Sequence, residues 1–138
     1  MLRGKLIHPE ILETLGRSGH GSKILIADGN YPFTTAVNPL AKKVYLNLSP
    51  GLISVTQVLE ALIPCIPVEA VQVMGKEGAE PSIFQDFRQI LPVGLELEVL
   101  ERFAFYAAVR EPDVALLIAT GEERIYANIL ITIGVIQS

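Results

Sequence analysis

The residues best equipped for chemistry begin in the stretch "GHGSKILIADGNYP", residues 19–32. His20, one of only two histidines in the chain, lies between two glycines, and Asp28 closes the apolar run that follows it. An imidazole with an ordinary pKa near 6.5 takes and gives protons at neutral pH, and a carboxylate beside it can orient the ring or hold a ligand hydroxyl. In an α/β sheet, ligands collect beyond the carboxyl ends of the strands, where Asp28 falls. About six extended residues separate the two side chains, roughly 20 Å at 3.3 Å each. They meet over one ligand only if the turn doubles back or if neighbouring subunits pair them. The plainer alternative is a histidine that caps a helix and an aspartate that opens a turn before Gly29.

Two further polar clusters stand out. In "RFAFY", helical spacing puts Arg102, Phe105 and Tyr106 on one face with Phe103 partly behind them; the simple reading is two core phenylalanines and a surface arginine. In "GEERIYANIL", an extended segment would turn Tyr126 and Asn128 to the same side, as a polar rim or as an ordinary strand edge.

Other chemistries find no support. "GRSGHGSK" (16–23) approaches a phosphate loop, but its Ser and Lys are in the wrong order, and a helix precedes it where a strand is needed. His8 and His20 have no histidine or cysteine partner at ligand spacing, so no metal site is expected. No Gly-x-Ser-x-Gly elbow is present. Cys65, the lone cysteine, sits in "IPCIP" and reads as core packing; with no disulfide possible, the chain suits a reducing cytoplasm.

The elements that must position these residues follow from periodicity. Pro9–Ser18 predicts a helix with Ile11, Leu12 and Leu15 on one face. Val55, Val58, Leu59 and Leu62 mark a second helix, ended near Pro64. Ile83, Phe84, Phe87, Ile90 and Leu91 mark a third, and residues 102–111 a short fourth. Strands are expected at "KILIAD", "KKVYLNLS", "VEAVQVM", "LELEVLE", "DVALLIAT" and "NILITIGV". Alternating helices and strands predict an α/β layered domain with a mixed, largely parallel central sheet, its last strands antiparallel.

The 138 residues suffice for one domain with one sizeable core. Half are hydrophobic and only 19% charged, against a globular average of about 25%. That excess suggests apolar surface buried between copies of the chain. The longest apolar runs fall short of a membrane span, and no secretory signal is visible at the start. Eleven scattered Lys and Arg and a net charge of −4 argue against nucleic acid as a partner.

Taken together, "GHGS…AD", "RFAFY" and "TGEERIYANILITIGV" resemble the RbsD/FucU family of D-ribose pyranases and L-fucose mutarotases, over nearly the full length and in the family's order and spacing. The stretch from Arg102 resembles the fucose branch more closely, because the ribose branch carries a histidine at that position. The resemblance implies a three-layer α/β/α fold over residues 1–138 and a cofactor-independent isomerase acting on a reducing monosaccharide, L-fucose or a related sugar. It implies His20 as the proton donor, Asp28 and Arg102 as site residues, and Tyr126 with Asn128 as the sugar-binding pair; Tyr31 and Tyr106 would serve as walls. It also implies a ring-shaped homo-oligomer, often a decamer, with each site between neighbouring subunits. One stretch departs: the fucose branch typically reads "DAHFP" where this chain reads "DGNYP", so Asn30 stands in place of a histidine, which puts the identity of the sugar in question. A non-catalytic sugar-binding accessory of an uptake system would use the same pocket, and a purely structural ring protein would use the three clusters as interface contacts. The residues alone do not separate enzyme from binder.

Overall fold

The computed structural model describes residues 1–138. Helix α1 spans Pro9–Arg17, with proline at its first position and His8 as its N-cap, whose Nδ1 accepts from the Ile11 amide at 3.4 Å. The capping histidine is therefore His8, not His20. Strand β1 (Lys23–Ala27) follows, and Asp28 lies one residue past its end. The strand β2 (Lys42–Tyr45) is shorter than "KKVYLNLS" suggests; Leu46 adds one more bond, to the Ala119 carbonyl, before the chain leaves the sheet. Helix α2 (Val55–Leu62) starts with a reciprocal capping box, in which Ser54 and Gln57 satisfy each other's backbone amides. A single 3₁₀ turn at Ile63–Cys65 ends it, and this turn directs Cys65 outward; the thiol is exposed rather than packed in the core.

Strand β3 (Val68–Met74), helix α3 (Ile83–Ile90), strand β4 (Leu97–Leu100), helix α4 (Arg102–Val109) and strands β5 (Val114–Ala119) and β6 (Ile129–Ile133) complete the chain. The six strands form one sheet in the order β2-β5-β1-β6-β3-β4. Within the block β2-β5-β1 and within the pair β3-β4 the strands are parallel, whereas β6 runs antiparallel to both its neighbours, β1 and β3. The sheet is mixed and largely parallel, as the alternation of elements predicts. Of the last two strands only β6 is antiparallel, and it sits inside the sheet instead of beside β5.

Inner strands are buried on both faces, which is why they read as unbroken apolar runs. Ile24, Ile26, Leu116, Ile118, Ile129 and Ile131 pack under α1, α2 and α3 through Ile11, Val58, Leu59, Leu62, Phe84 and Phe87. Leu25, Ala27, Leu117, Ala119 and Leu130 face the opposite layer, built from α4 (Phe105, Val109) and the segment carrying Tyr31, Ala36, Val37 and Ala41. The layers are thus three helices, the sheet, and one helix with a long loop. Only one phenylalanine of "RFAFY" enters the core: Phe105 is fully buried, while Phe103 is 71% exposed.

The antiparallel strand determines where ligands can gather. Because β6 runs against its neighbours, the residues just before it lie at the same edge of the sheet as the residues just after β1, β3 and β4. Backbone ties close this edge: Gly29 donates to the Glu122 carbonyl, Gly51 to that of Gly121, and Gly121 to that of Ile53. A Cβ at Gly121 would collide with the carbonyls of Ser49 and Leu52, so only glycine permits this approach.

Candidate active site

At that edge lies a cavity of about 370 Å³, within the range of small-molecule sites. Asp28, Asn30 and Tyr31 reach it from the end of β1, Met74 and Lys76 from the end of β3, Arg102 and Tyr106 from the start of α4, and Ile125, Tyr126 and Asn128 from the approach to β6. Seven residues singled out in the sequence therefore meet: Asp28, Asn30, Tyr31, Arg102, Tyr106, Tyr126 and Asn128. His20 is not among them.

The floor of the cavity is an interlocked pair. The Asp28 amide donates to Asn128 Oδ1 at 2.8 Å, and Asn128 Nδ2 donates back to Asp28 Oδ2 at 3.1 Å. This reciprocity fixes which end of the carboxamide faces which atom. Asp28 Oδ1 also accepts from the Asn30 amide at 3.0 Å, an Asx turn that folds the chain back before Gly29's neighbour. The turn-opening aspartate and the cavity aspartate are thus one residue in both roles. Asp28 is only 3% exposed. Burial pushes its carboxyl above the usual range, against the downward pull of hydrogen bonds from Asn30, Ala127, Asn128 and Tyr31. It holds a proton more readily than an ordinary aspartate does.

Tyr31 forms a wall. Its hydroxyl donates to the Ala36 carbonyl at 2.6 Å, and its ring meets Tyr106 edge-on at 5.3 Å between centroids. Burial pushes the phenol far above its ordinary range, so it stays protonated. Tyr126 reaches the cavity from a left-handed backbone conformation (φ 59°) that bulky residues rarely adopt. It therefore does not line up with Asn128 by strand alternation; β6 begins only at Ile129, and a turn delivers the phenol. Strain of this kind gathers at functional positions.

His20 lies at the other end of the sheet. The turn that holds it is tied to the end of β6, through Gly21 donating to the Ile133 carbonyl at 2.9 Å. Its Nε2 donates to Glu69 Oε1 at 2.9 Å, and its side chain is 57% exposed. Because an ionised carboxylate only accepts, this contact puts the neutral ring's proton on Nε2 and leaves Nδ1 with the free lone pair. Within one chain β1 separates His20 from Asp28, about 16 Å of extended backbone.

Three features escape a sequence-only reading. Lys76 lines the cavity, and Glu69 engages His20 from 49 residues away. The third is a polar cluster behind the edge, where Glu122 accepts from Arg124 and from the Val55 amide at the start of α2, while Arg124 also donates to Asp86 at 2.6 Å. A second cavity, of about 430 Å³ and lined by Asn30, Asn47, Ser49, Thr120, Glu122 and Glu123 among others, adjoins this cluster.

Fold and cavity together define an open α/β ligand-binding domain whose pocket, rich in carboxyl, carboxamide, phenol and guanidinium groups, suits a small polyhydroxylated molecule. The chain belongs to the RbsD / FucU transport protein family, whose profile matches residues 1–136. It is 30% identical to the fucose mutarotase of Bos taurus over 95% of this chain and 90% of that protein. It is also 30% identical to the L-fucose mutarotase of Haemophilus influenzae, over 98% of this chain and 97% of the relative. Among solved structures, the Streptococcus pneumoniae fucose mutarotase in complex with L-fucose superposes with a TM-score of 0.80 at 28% identity, covering 95% of both chains. Bacillus subtilis RbsD complexed with D-ribose superposes at 0.84 with 25% identity, covering 99% of this chain and 100% of that one. No helix of this protein is long and apolar enough to cross a membrane.

Proposed function

We propose that residues 1–138 form one monosaccharide mutarotase domain that interconverts the ring forms of a reducing sugar, with L-fucose the first substrate to test. The observation that carries this reading is the convergence of Asp28, Arg102, Tyr126 and Asn128, from three separate segments, on one cavity; relatives of the same fold are named fucose mutarotases, and two solved ones hold L-fucose and D-ribose.

Opening a hemiacetal requires one group to take the proton of the anomeric hydroxyl and another to give a proton to the ring oxygen. The carbonyl then rotates, or another hydroxyl attacks, and the ring closes with the roles reversed. No group is transferred and no electrons leave the sugar, so no cofactor enters this proposal. His20 suits one role through its Nδ1 lone pair. Asp28 suits the other, since burial lets it hold a proton more readily than usual. Arg102 and Asn128 would fix oxygens of the sugar, Tyr126 would offer a ring face or a relay, and Tyr31 and Tyr106 would wall the site. Positioned acid–base help is worth about 10²–10⁴ in rate, enough for a reaction that proceeds slowly in water unaided.

The two halves come together in a ring-shaped homo-oligomer, a decamer or similar, in which one protomer's His20 completes its neighbour's cavity. The exposed imidazole and the apolar Phe103 and Ile125, exposed beside the cavity, support such packing. A cytoplasmic setting is part of the same proposal, with its exposed free thiol at Cys65. Saturation-transfer NMR on fucose, ribose and galactose tests the activity, and light scattering tests the assembly. Exchange no faster than buffer on every sugar, or a monomer with full activity, overturns the reading. One observation favours a second reading: the cavity of a single chain lacks His20. A sugar-binding accessory of an uptake system would raise the melting temperature with sugar and leave exchange at the buffer rate.

A further inference from the structure

Two cations share the cavity with a single carboxyl. Lys76 and Arg102 both line it, and neither makes an ion pair within the chain. Their placement follows from strand register. Met74 pairs with Leu100 in the parallel ladder of β3 and β4, and the Gly75 amide extends that ladder to the Leu100 carbonyl at 2.9 Å. Lys76 and Arg102 are thus equivalent residues, each two past its strand's last ladder position, side by side at adjacent strand ends. The neighbouring carboxylate of Glu101 is already engaged, since the Ala104 amide donates to it at 2.8 Å as the α4 cap. Asp28 stands on the other side of β6, in a different direction: two strand spacings, about 10 Å, separate the end of β1 from the end of β3. The cavity is therefore divided, with carboxyl and carboxamide at one side and two unpaired cations at the other.

We propose that this cavity selects reducing sugars that carry an anionic group remote from the anomeric carbon, with Lys76 and Arg102 holding the anion while the anomeric end faces Asp28 and Asn128. The proposal rests on the reading of the cavity as the sugar site. The anion cannot be on the anomeric oxygen, because that oxygen must be free for the ring to open. A neutral sugar leaves two like charges side by side without a counter-ion, whereas a carboxylate or phosphate relieves that repulsion and accepts charge-assisted hydrogen bonds from both.

The test uses matched sugars with the full-length protein in its native assembly. D-galactose is compared with D-galacturonate, and D-glucose with D-glucose 6-phosphate, by titration calorimetry at low and high salt. The anionic member of at least one pair is expected to bind about tenfold more tightly at low salt, as for one added charge-assisted contact. Salt should shrink the preference. A preference for galacturonate alone assigns a carboxylate, and one for glucose 6-phosphate alone assigns a phosphate. Lys76→Gln should reduce the ratio to about twofold or less, and Lys76→Glu should invert it; Lys76 is exposed, so neither variant threatens the fold. Equal affinities within both pairs overturn the proposal, as does a preference that survives in both variants. Exchange of galactose above buffer without any anionic preference overturns this inference alone. Lys76-dependent binding of galacturonate without exchange of any sugar overturns the mutarotase reading alone.

Discussion

His20 Nε2 donates to Glu69 Oε1 at 2.9 Å, at the end of the sheet opposite the one that carries Asp28. The pairing joins the turn before β1 to the start of β3, reaching across the end of β6, which lies between those two strands. Accepted by a carboxylate, the Nε2 proton is held there, and Nδ1 keeps its lone pair on a side chain that is 57% exposed.

Glu69 is accordingly a positioning residue for His20. Replacing His20 with Ala should lower exchange by about 10²–10⁴, the range of a positioned acid–base group. Glu69→Gln should lower kcat by about three- to tenfold with the sugar Kd unchanged, since an amide can still accept but no longer requires the Nε2 proton. Equal kcat in Glu69→Gln and wild type would remove Glu69 from the scheme.

Asp28 makes the stability of the protein depend on pH with a definite sign. Its folded carboxyl binds a proton more tightly than the unfolded one. Its contribution is therefore fully present below the unfolded value of about 3.9 and is lost as pH rises through the folded value. Urea unfolding of wild type and Asp28→Asn from pH 4 to 8 should show the wild type losing ground to the variant as pH rises.

Glu122 predicts the opposite slope. The Arg124 guanidinium beside it holds its carboxyl below the usual range. Its stabilisation is present above the unfolded value of about 4.3 and fades as pH falls through the lower folded value. Glu122 is 5% exposed but Arg124 is 39% exposed, so solvent screens part of the pair. Glu122→Ala should cost about 1–3 kcal/mol at pH 7, including the lost cap on α2, and much less near pH 3. Denaturant midpoints at the two pH values check this.

Tyr126 accepts backbone strain for placement. Glycine adopts φ 59° without steric cost but gives up the packing of the half-buried ring against the α4-side core, so Tyr126→Gly should change stability by only about 1 kcal/mol, the relieved strain offsetting the lost packing and the entropy of the freer unfolded chain. The same variant should lose at least about tenfold in sugar exchange, as expected when a positioned contact is removed. A variant that keeps its rate would show that the phenol does not serve the site.

Much of the arrangement is legible in the order of residues, and the failures have physical causes. Asp28 could be found because strand ends collect ligands and the apolar run stops abruptly there. Tyr126 and Asn128 also reach the cavity, but by a left-handed turn that residue types do not announce. Phe103 lies two positions from Phe105, on another side of α4, and the helix packs on the sheet through one narrow face; residue type alone does not say how wide that face is. Cys65 has apolar neighbours, but a 3₁₀ turn rotates it outward. Glu69 and Lys76 were invisible because their partners come from register and strand order. An apolar run such as Ile129–Ile133 fits any inner slot equally well, so its insertion between β1 and β3 is a property of the whole chain.

That insertion also shapes how the protein is made. β6 is the last of the six strands to leave the ribosome, yet it occupies the middle of the finished sheet. Without it, the other strands fall into two separate groups, β2-β5-β1 and β3-β4, each with an unpaired border. Docking of that strand joins them, and in the same motion brings Tyr126 and Asn128 up to Asp28, so that the pocket exists only once β6 is in place.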